Sequence, residues 1–234
     1  MRDPLVVAVA QPPCTAHDVG ANAAAHGALV CASGARVVVF PEMSLTGYEL
    51  DAEPVEPDDA RLAPLVDACA ATGAVCLAGA PVRGEAGAVH IGVLAVDGRG
   101  AAVAYRKMFL GGAEAERFTP GSSPAAVEVD GWHLGLAVCK DTGVPEQAEA
   151  TASQGVDAYV AGVLEHDHEA AVVDERAHRI ATTHGVWVAI ASFAGSTGAG
   201  YARAAGGSGV WDPAGTGVAR AGADVGAVVA ATLT

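Results

Sequence analysis

The sequence predicts an α/β domain built on a mixed β-sheet, and three observations carry that prediction. Strand-sized apolar runs alternate with helix-like stretches along most of the 234 residues, the pattern of β-α-β units. Two runs, 88–96 and 101–106, flank the turn residues "DGRG" and read as a hairpin, which pairs its strands antiparallel. The Gly-rich end of the chain adds two or three further short runs separated by turns such as "DPAG".

Each element follows from local chemistry. "LVVAVAQ" (5–11) is a strand, 18–33 an Ala-rich helix, and "ARVVVF" (35–40) a second strand. "DDARLAPLVDACAATG" (58–73) opens on acids and closes on Gly, the preferences of the two helix ends. "AVCLAGA" (74–80) precedes the hairpin and "WHLGLAVC" (132–139) follows it. "VPEQAEATASQG" (144–155) is a helix with Pro145 in its first turn. "DAYVAG" (157–162), a helix over 168–184 and "VWVAIAS" (186–192) repeat the alternation, and "GSGVWD", "GVARA" and "GAVVAATL" end it. The order is β-α-β-α-β-β-β-β-α-β-α-β-β-β. With no linker, charge run or fixed-period repeat, one domain over 1–234 is the economical reading.

Composition narrows the function. The 13 Lys+Arg stand against 27 Asp+Glu, a formal charge of −14, which repels nucleic acid and anionic membrane as partners. The N-terminal apolar run is strand-sized and lacks a small-residue cleavage pattern, so no signal peptide is expected, and no run reaches membrane-span length. The five cysteines are odd in number and form no CxxC pair. That favours free thiols in a reducing compartment, hence a cytoplasmic location.

Three strand-like runs end on reactive groups. The run at 37–40 exits into Pro41-Glu42, the run at 101–106 into Lys107, and the run at 132–138 into Cys139. Sites in open α/β sheets form beyond the carboxyl ends of strands, so a carboxylate, an amine and a thiol can meet there. A thiol attacks as thiolate and needs a base; a buried carboxylate can take its proton; a lysine beside both stabilises the thiolate and the later oxyanion. The Lys140 N–H, next to the thiol, is a second oxyanion donor. Taken singly, each has an ordinary reading: a strand-end Cys as core, a strand-end Glu or Lys as surface charge.

"FPEMSLTGY" (40–48), "YRKMFL" (105–110) and "GLAVCKD" (135–141) resemble, in order, the three motif blocks of the nitrilase or carbon–nitrogen hydrolase superfamily. "AVAQPP" with Asn22, "ERFTPG" (116–121) and "GSGVWDPAGTGVARAG" (207–222) extend the resemblance over nearly the whole chain. It implies a four-layer α-β-β-α sandwich with two mixed sheets, pairing as a homodimer or higher homo-oligomer. It implies a Glu-Lys-Cys triad of Glu42, Lys107 and Cys139. Glu114 is the first choice for an assisting glutamate, with Glu116 the alternative. The implied reaction is hydrolysis of a small amide or carbamoyl compound through a Cys139 thioester, with no metal or organic cofactor. Phe109 stands where the family commonly has His, Lys140 where an aromatic is common, Phe193 where many members have Asn, and "VLEHDHEAA" where an aromatic loop is common. These departures leave the substrate open.

Other features weigh less. "EHDH" (165–168) has metal-ligand residue types, but four consecutive side chains converge poorly on one ion, and a solvated loop opening a helix is expected. Given the resemblance, that loop lies near the pocket mouth, and Glu165 is then a candidate substrate contact. Tyr48 either lines the pocket or packs on the sheet. "GSTGAG" and "GGSG" lack the strand-to-helix context of a nucleotide loop. His178 and His184 read as partly exposed helix residues. The alternatives to a hydrolase are a catalytically silent or regulatory domain, and acyl transfer to an acceptor other than water.

Overall fold

Alternation along the first strand already separates the layers. The computed structural model describes residues 2–234. In β1 (Leu5–Ala10), Leu5, Val7 and Val9 enter one apolar cluster while Ala8 and Ala10 enter another, as a period of two dictates. The first cluster is shared with a second sheet: Trp132, Leu134, Leu136 and Val138 of β7 (Trp132–Val138) lie in it too. The second lies under helices α1 (Val19–Ser33) and α2 (Ala63–Thr72). A third cluster fills the space between the other sheet and helices α3 (Pro145–Ala152) and α4 (Ala170–His184). The result is the four-layer α-β-β-α sandwich.

One six-stranded sheet contains β1, β2 (Val37–Val39), β3 (Val75–Arg83), β4 (Val89–Asp97), β5 (Gly100–Arg106) and, beside β1, the last strand β14 (Val228–Leu233). The other contains β6 (Ala126–Val129), β7, β8 (Ala158–Val163), β9 (Trp187–Ser192), β12 (Gly209–Trp211) and β13 (Gly217–Arg220). The β1–β2–β3 and β7–β8–β9 ladders are parallel and bridged by helices; the flanking strands are antiparallel. Both sheets are thus mixed. A two-stranded ribbon, β10 (Ala194–Gly195) with β11 (Ala204–Ala205), stands apart from them.

Capping sets the helix ends. Asp18 accepts the Ala21 N–H at 3.0 Å at the start of α1, and Gly34, Gly73 and Gly185 end α1, α2 and α4 in the left-handed conformation. β2 is shorter than the apolar run because Pro41 has no N–H to continue the ladder. β6 and the β10–β11 ribbon have no counterpart among the predicted elements. β6 has four mostly solvent-facing residues, and the ribbon strands have two each, too short to show a period.

Candidate active site

Glu42 is buried just past β2, and two glycines explain how the backbone gets there. A Cβ on Gly79 of β3 would stand 2.5 Å from the Pro41 carbonyl, and one on Gly162 of β8 would stand 2.5 Å from the Phe40 carbonyl and 2.9 Å from the Glu42 nitrogen. Only glycine at both places lets the Phe40–Glu42 backbone pass between the two sheets. The next residue, Met43, is held at φ 50, a conformation that persists only where surrounding structure enforces it. Helix α1 supplies part of that enforcement: the Asn22 amide donates to the Leu45 carbonyl at 3.0 Å, and the His26 Nε2 meets the Ser44 hydroxyl at 2.8 Å.

Lys107 follows β5, its own N–H bonded to the Ile91 carbonyl at 2.8 Å. Its ammonium, 1% exposed, donates to Glu42 Oε1 at 2.7 Å and to both Glu114 oxygens at 2.7 and 2.8 Å. Glu114 also accepts the Tyr48 hydroxyl at 2.5 Å and the Gly111 N–H at 2.5 Å. Of the two glutamates weighed from sequence, Glu114 is buried against Lys107 while Glu116 is exposed. Burial pushes Lys107 down, but the charges of Glu42, Cys139 and Glu114 outweigh it and raise the ammonium above its ordinary value. Burial works on Glu114 in the raising direction, but Lys107 and the hydrogen bonds of Lys107, Tyr48 and Gly111 leave it below normal. Glu42 differs. Its burial dominates the opposing pull of Lys107, and its carboxyl is pushed up to about 7. Its second oxygen, Oε2, is buried without a hydrogen-bond partner. One carboxylate is thus locked in its charged form and the other is poised to exchange a proton.

Cys139 opens a 3₁₀ turn (Cys139–Gly143) directly after β7, at φ 45. Its sulfur lies 3.4 Å from the Leu164 carbonyl. Burial first, and the Glu42 charge second, raise the thiol well above its ordinary value, with Lys107 opposing. The resting sulfur is therefore a thiol beside a carboxyl of near-neutral pKa. Cys139 and Lys140 are the first residues of the turn, where N–H groups have no acceptor within it; the Lys140 side chain turns away to the Leu110 carbonyl at 2.6 Å.

Asp141 is a residue the sequence reading missed. Its buried carboxylate accepts the Val138 N–H at 3.0 Å, the Phe109 N–H at 2.9 Å and the Tyr105 hydroxyl at 2.9 Å. It therefore ties the Cys139 turn to the segment carrying Lys107. Gln147 of α3 continues the network, donating to the Tyr105 hydroxyl at 3.1 Å and accepting from Tyr159 at 2.6 Å. "CKD" was quoted for its cysteine; the signal for Asp141 was an acid two residues on, at the start of a turn.

At the mouth, Glu165 is paired with Arg176 at 2.6 Å. Arg176 also reaches the Thr142 hydroxyl at 3.3 Å, and that hydroxyl donates to the Cys139 carbonyl at 2.7 Å. Burial raises the Glu165 carboxyl, Arg176 opposing. Tyr201, from the Gly-rich segment between β10 and β11, stacks on His166 with centroids 4.1 Å apart and meets the Tyr48 ring edge-on at 5.6 Å. Its hydroxyl is raised to about 12, by burial first and then by Cys139, Glu42 and Glu165. Tyr201 went unread in the sequence because the glycine-containing loop between β10 and β11 has no periodicity. The "EHDH" side chains have separate partners, Glu165 with Arg176, Asp167 with Arg203 and His166 with Tyr201, while the His168 ring stacks on His166 at 5.2 Å. His17, Glu49 and Asp51 bring ligand-type atoms within 4.8 Å of one another, with His17 and Asp51 exposed to solvent.

This fold and this buried Glu-Lys-Cys arrangement define a class. The model of the carbon–nitrogen hydrolase family matches residues 6–234, and the chain belongs to that family. The hydrolase of the pqqF 5′ region of Pseudomonas protegens is 34% identical over 160 residues, 64% of this chain and 56% of that protein; the match thus spans little more than half of the relative's length. Among solved structures, Saccharomyces cerevisiae Nit3, a member of branch 10 of the nitrilase superfamily, superposes with TM-score 0.87 at 21% identity, over 98% of this chain and 90% of its own. The amidase from Nesterenkonia sp. in complex with butyramide gives TM-score 0.86 at 24% identity, over the same 98% and 90%. Among the described residues, no helix is long and apolar enough to cross a membrane.

Proposed function

We propose that the protein hydrolyses the C–N bond of a small linear amide or N-carbamoyl compound, with Cys139 as nucleophile. The observation that carries this reading is the single ammonium of Lys107 held between Glu42 and Glu114 beside the strained Cys139 turn. Such a fixed, water-poor charge array acts where charge develops rather than on the ground state. A solved Nesterenkonia amidase with bound butyramide, and another with acrylamide added at its active-site cysteine, lend support to small amides as the substrate class.

The proposed steps use these groups in turn. Ionised Glu42 takes the thiol proton as the sulfur attacks the carbonyl carbon. The oxyanion is held by the Lys107 ammonium and the Lys140 N–H. Glu42 returns the proton to the departing nitrogen, the C–N bond breaks, and ammonia or amine leaves a Cys139 thioester. A water, deprotonated by Glu42, then adds to the thioester; the acid leaves and the thiol is restored. Glu114 keeps Lys107 charged and in place. Incubation with a panel of small amides and N-carbamoyl compounds, reading ammonia release, tests the proposal. Turnover with at least one member is expected, together with an acyl-enzyme mass increment on Cys139. Turnover that survives Cys139→Ala would overturn it.

A further inference from the structure

Arg106 occupies a place that the reaction leaves unexplained. Of the thirteen lysine and arginine side chains, it is the one with neither an ion pair nor a hydrogen bond among the described residues. In a chain with 27 carboxylates, a partly buried arginine without an acid is unusual: guanidinium groups are kept where a planar oxyanion can be gripped by two N–H groups. Arg106 lines a cavity of about 370 Å³ together with Gly84, Glu85, Ala88, His90, Pro120, Gly121 and Ser122.

The lining is suited to an oxyanion. The His90 Nδ1 meets the Thr119 carbonyl at 2.7 Å, so that nitrogen carries the hydrogen and the ring is held in one orientation as part of the wall. Gly84 leaves room for that ring edge, since a Cβ there would collide with Nε2. The Ser122 hydroxyl is a further donor. Gly121 is packed against the Arg106 carbonyl so tightly that a Cβ would collide with it, which fixes the backbone that carries the guanidinium. Glu85 is the lining carboxylate; it is exposed, so water screens its repulsion.

We propose that this cavity is a binding site for a small oxyanion, a phosphate group or a carboxylate, gripped by Arg106 with Ser122 as a further donor and His90 as a wall. It lies on the reverse face of the strand end that delivers Lys107, since consecutive residues of a strand point to opposite sides. The long-range field of a chain with charge −14 opposes the ligand, so occupancy requires millimolar concentrations of a free anion. The site stands independently of the reading given to Cys139.

Thermal unfolding in sodium phosphate and in sodium chloride of matched ionic strength tests this. The wild-type Tm is expected to rise in phosphate beyond the chloride value, with broadening of the phosphate phosphorus resonance. Arg106→Gln is expected to lose both effects, Arg106→Lys to keep less than half, and Arg83→Gln, which alters an exposed arginine paired with Glu56, to keep both in full. An acetate series identifies the ligand chemistry: a rise in acetate alone assigns a carboxylate, a rise in phosphate alone a phosphoryl group. Equal Tm in all three anions, or full retention in Arg106→Gln, overturns the proposal. So does a change of sedimenting mass in Arg106→Gln without any anion effect in the wild type, which would make Arg106 a subunit contact.

Discussion

The two halves of the molecule repeat one plan and treat their functional residues in opposite ways. Each is built around a parallel β-α-β-α-β unit flanked by antiparallel strands. The first half delivers Glu42, Lys107 and Glu114, which hold one another through hydrogen bonds of 2.7 to 2.8 Å. The second delivers Cys139, whose sulfur lies 3.4 Å from the Leu164 carbonyl and whose backbone is held at φ 45. Charge is locked in the first half and reactivity is left loose in the second. A charged frame that needs no rearrangement is what lowers a barrier, whereas a nucleophile must be free to reach its target.

Removing the cation should break this contrast most severely. Lys107→Met leaves Glu42 and Glu114 buried without compensation. We expect kcat to fall on the order of 10⁴-fold and stability at pH 7 to fall by about 3 to 5 kcal/mol, the range for an uncompensated buried charge. Both carboxylates then have raised pKa values in the folded state, so the lost stability should return as pH falls and they protonate. Denaturant titrations at pH 7 and pH 5 read this; equal destabilisation at both would refute it.

Glu42 sharpens the comparison because the burial that suits it to the proposed role of base is also a liability. Its folded pKa, about 7, exceeds the ordinary 4.5, so the folded state binds the extra proton. The stability associated with that proton is present below about pH 4.5 and lost as pH rises through about 7. Glu42→Gln mimics the protonated form. It should lower kcat about 10³-fold and yet stabilise the protein by about 3 kcal/mol at pH 8, with little effect near pH 4.5. In the wild type, kcat/KM should climb with pH and reach half its plateau near pH 7. A pH-independent rate between 5 and 8 would remove Glu42 as the titrating base.

Why the charged residues were legible and their supports were not follows from where each signal lies. Glu42, Lys107 and Cys139 stand at the ends of strands, and strands announce themselves by apolar runs, so their convergence was open to inspection. Glu114 had a distance along the chain and no more; only its burial against Lys107, with Glu116 exposed, separates the two. Gly79 and Gly162 are two of 30 glycines, and only three-dimensional proximity marks them. Asp141 reaches Phe109 and Tyr105, Arg176 reaches Thr142, and Tyr201 reaches Tyr48, partners at least 32 residues away in the chain, where a linear pattern holds no trace.

The glycines give the next prediction. Gly162→Ala puts a Cβ 2.5 Å from the Phe40 carbonyl and 2.9 Å from the Glu42 nitrogen, both backbone atoms that cannot rotate away. Glu42 must shift while Cys139 and Lys107 keep their own supports. A displacement near 1 Å should lower kcat about 10²-fold, with the thiol still reactive toward iodoacetamide. A variant with wild-type kcat would show that the passage between the sheets has slack.

The smallest effect belongs to the mouth, where the second half closes over the first. Tyr201 is held there by its loop: the Thr197 N–H donates to the Tyr201 carbonyl at 2.9 Å, and the Thr197 hydroxyl accepts the Tyr48 N–H at 2.9 Å. Its ring touches His166 on one side and Tyr48 on the other, and Tyr48 in turn hydrogen-bonds Glu114. The ring therefore stands as a wall facing the reacting groups without belonging to them. Tyr201→Ala should leave kcat for the shortest amide within a few-fold. It should raise kcat/KM for longer acyl chains relative to short ones by about 10-fold, roughly the discrimination that a pocket wall exerts on an added methylene. Tyr201→Phe, which keeps the ring, should keep the wild-type preference. An unchanged chain-length profile in Tyr201→Ala would mean that the acyl group lies elsewhere, against the His166 and Glu165 side of the mouth.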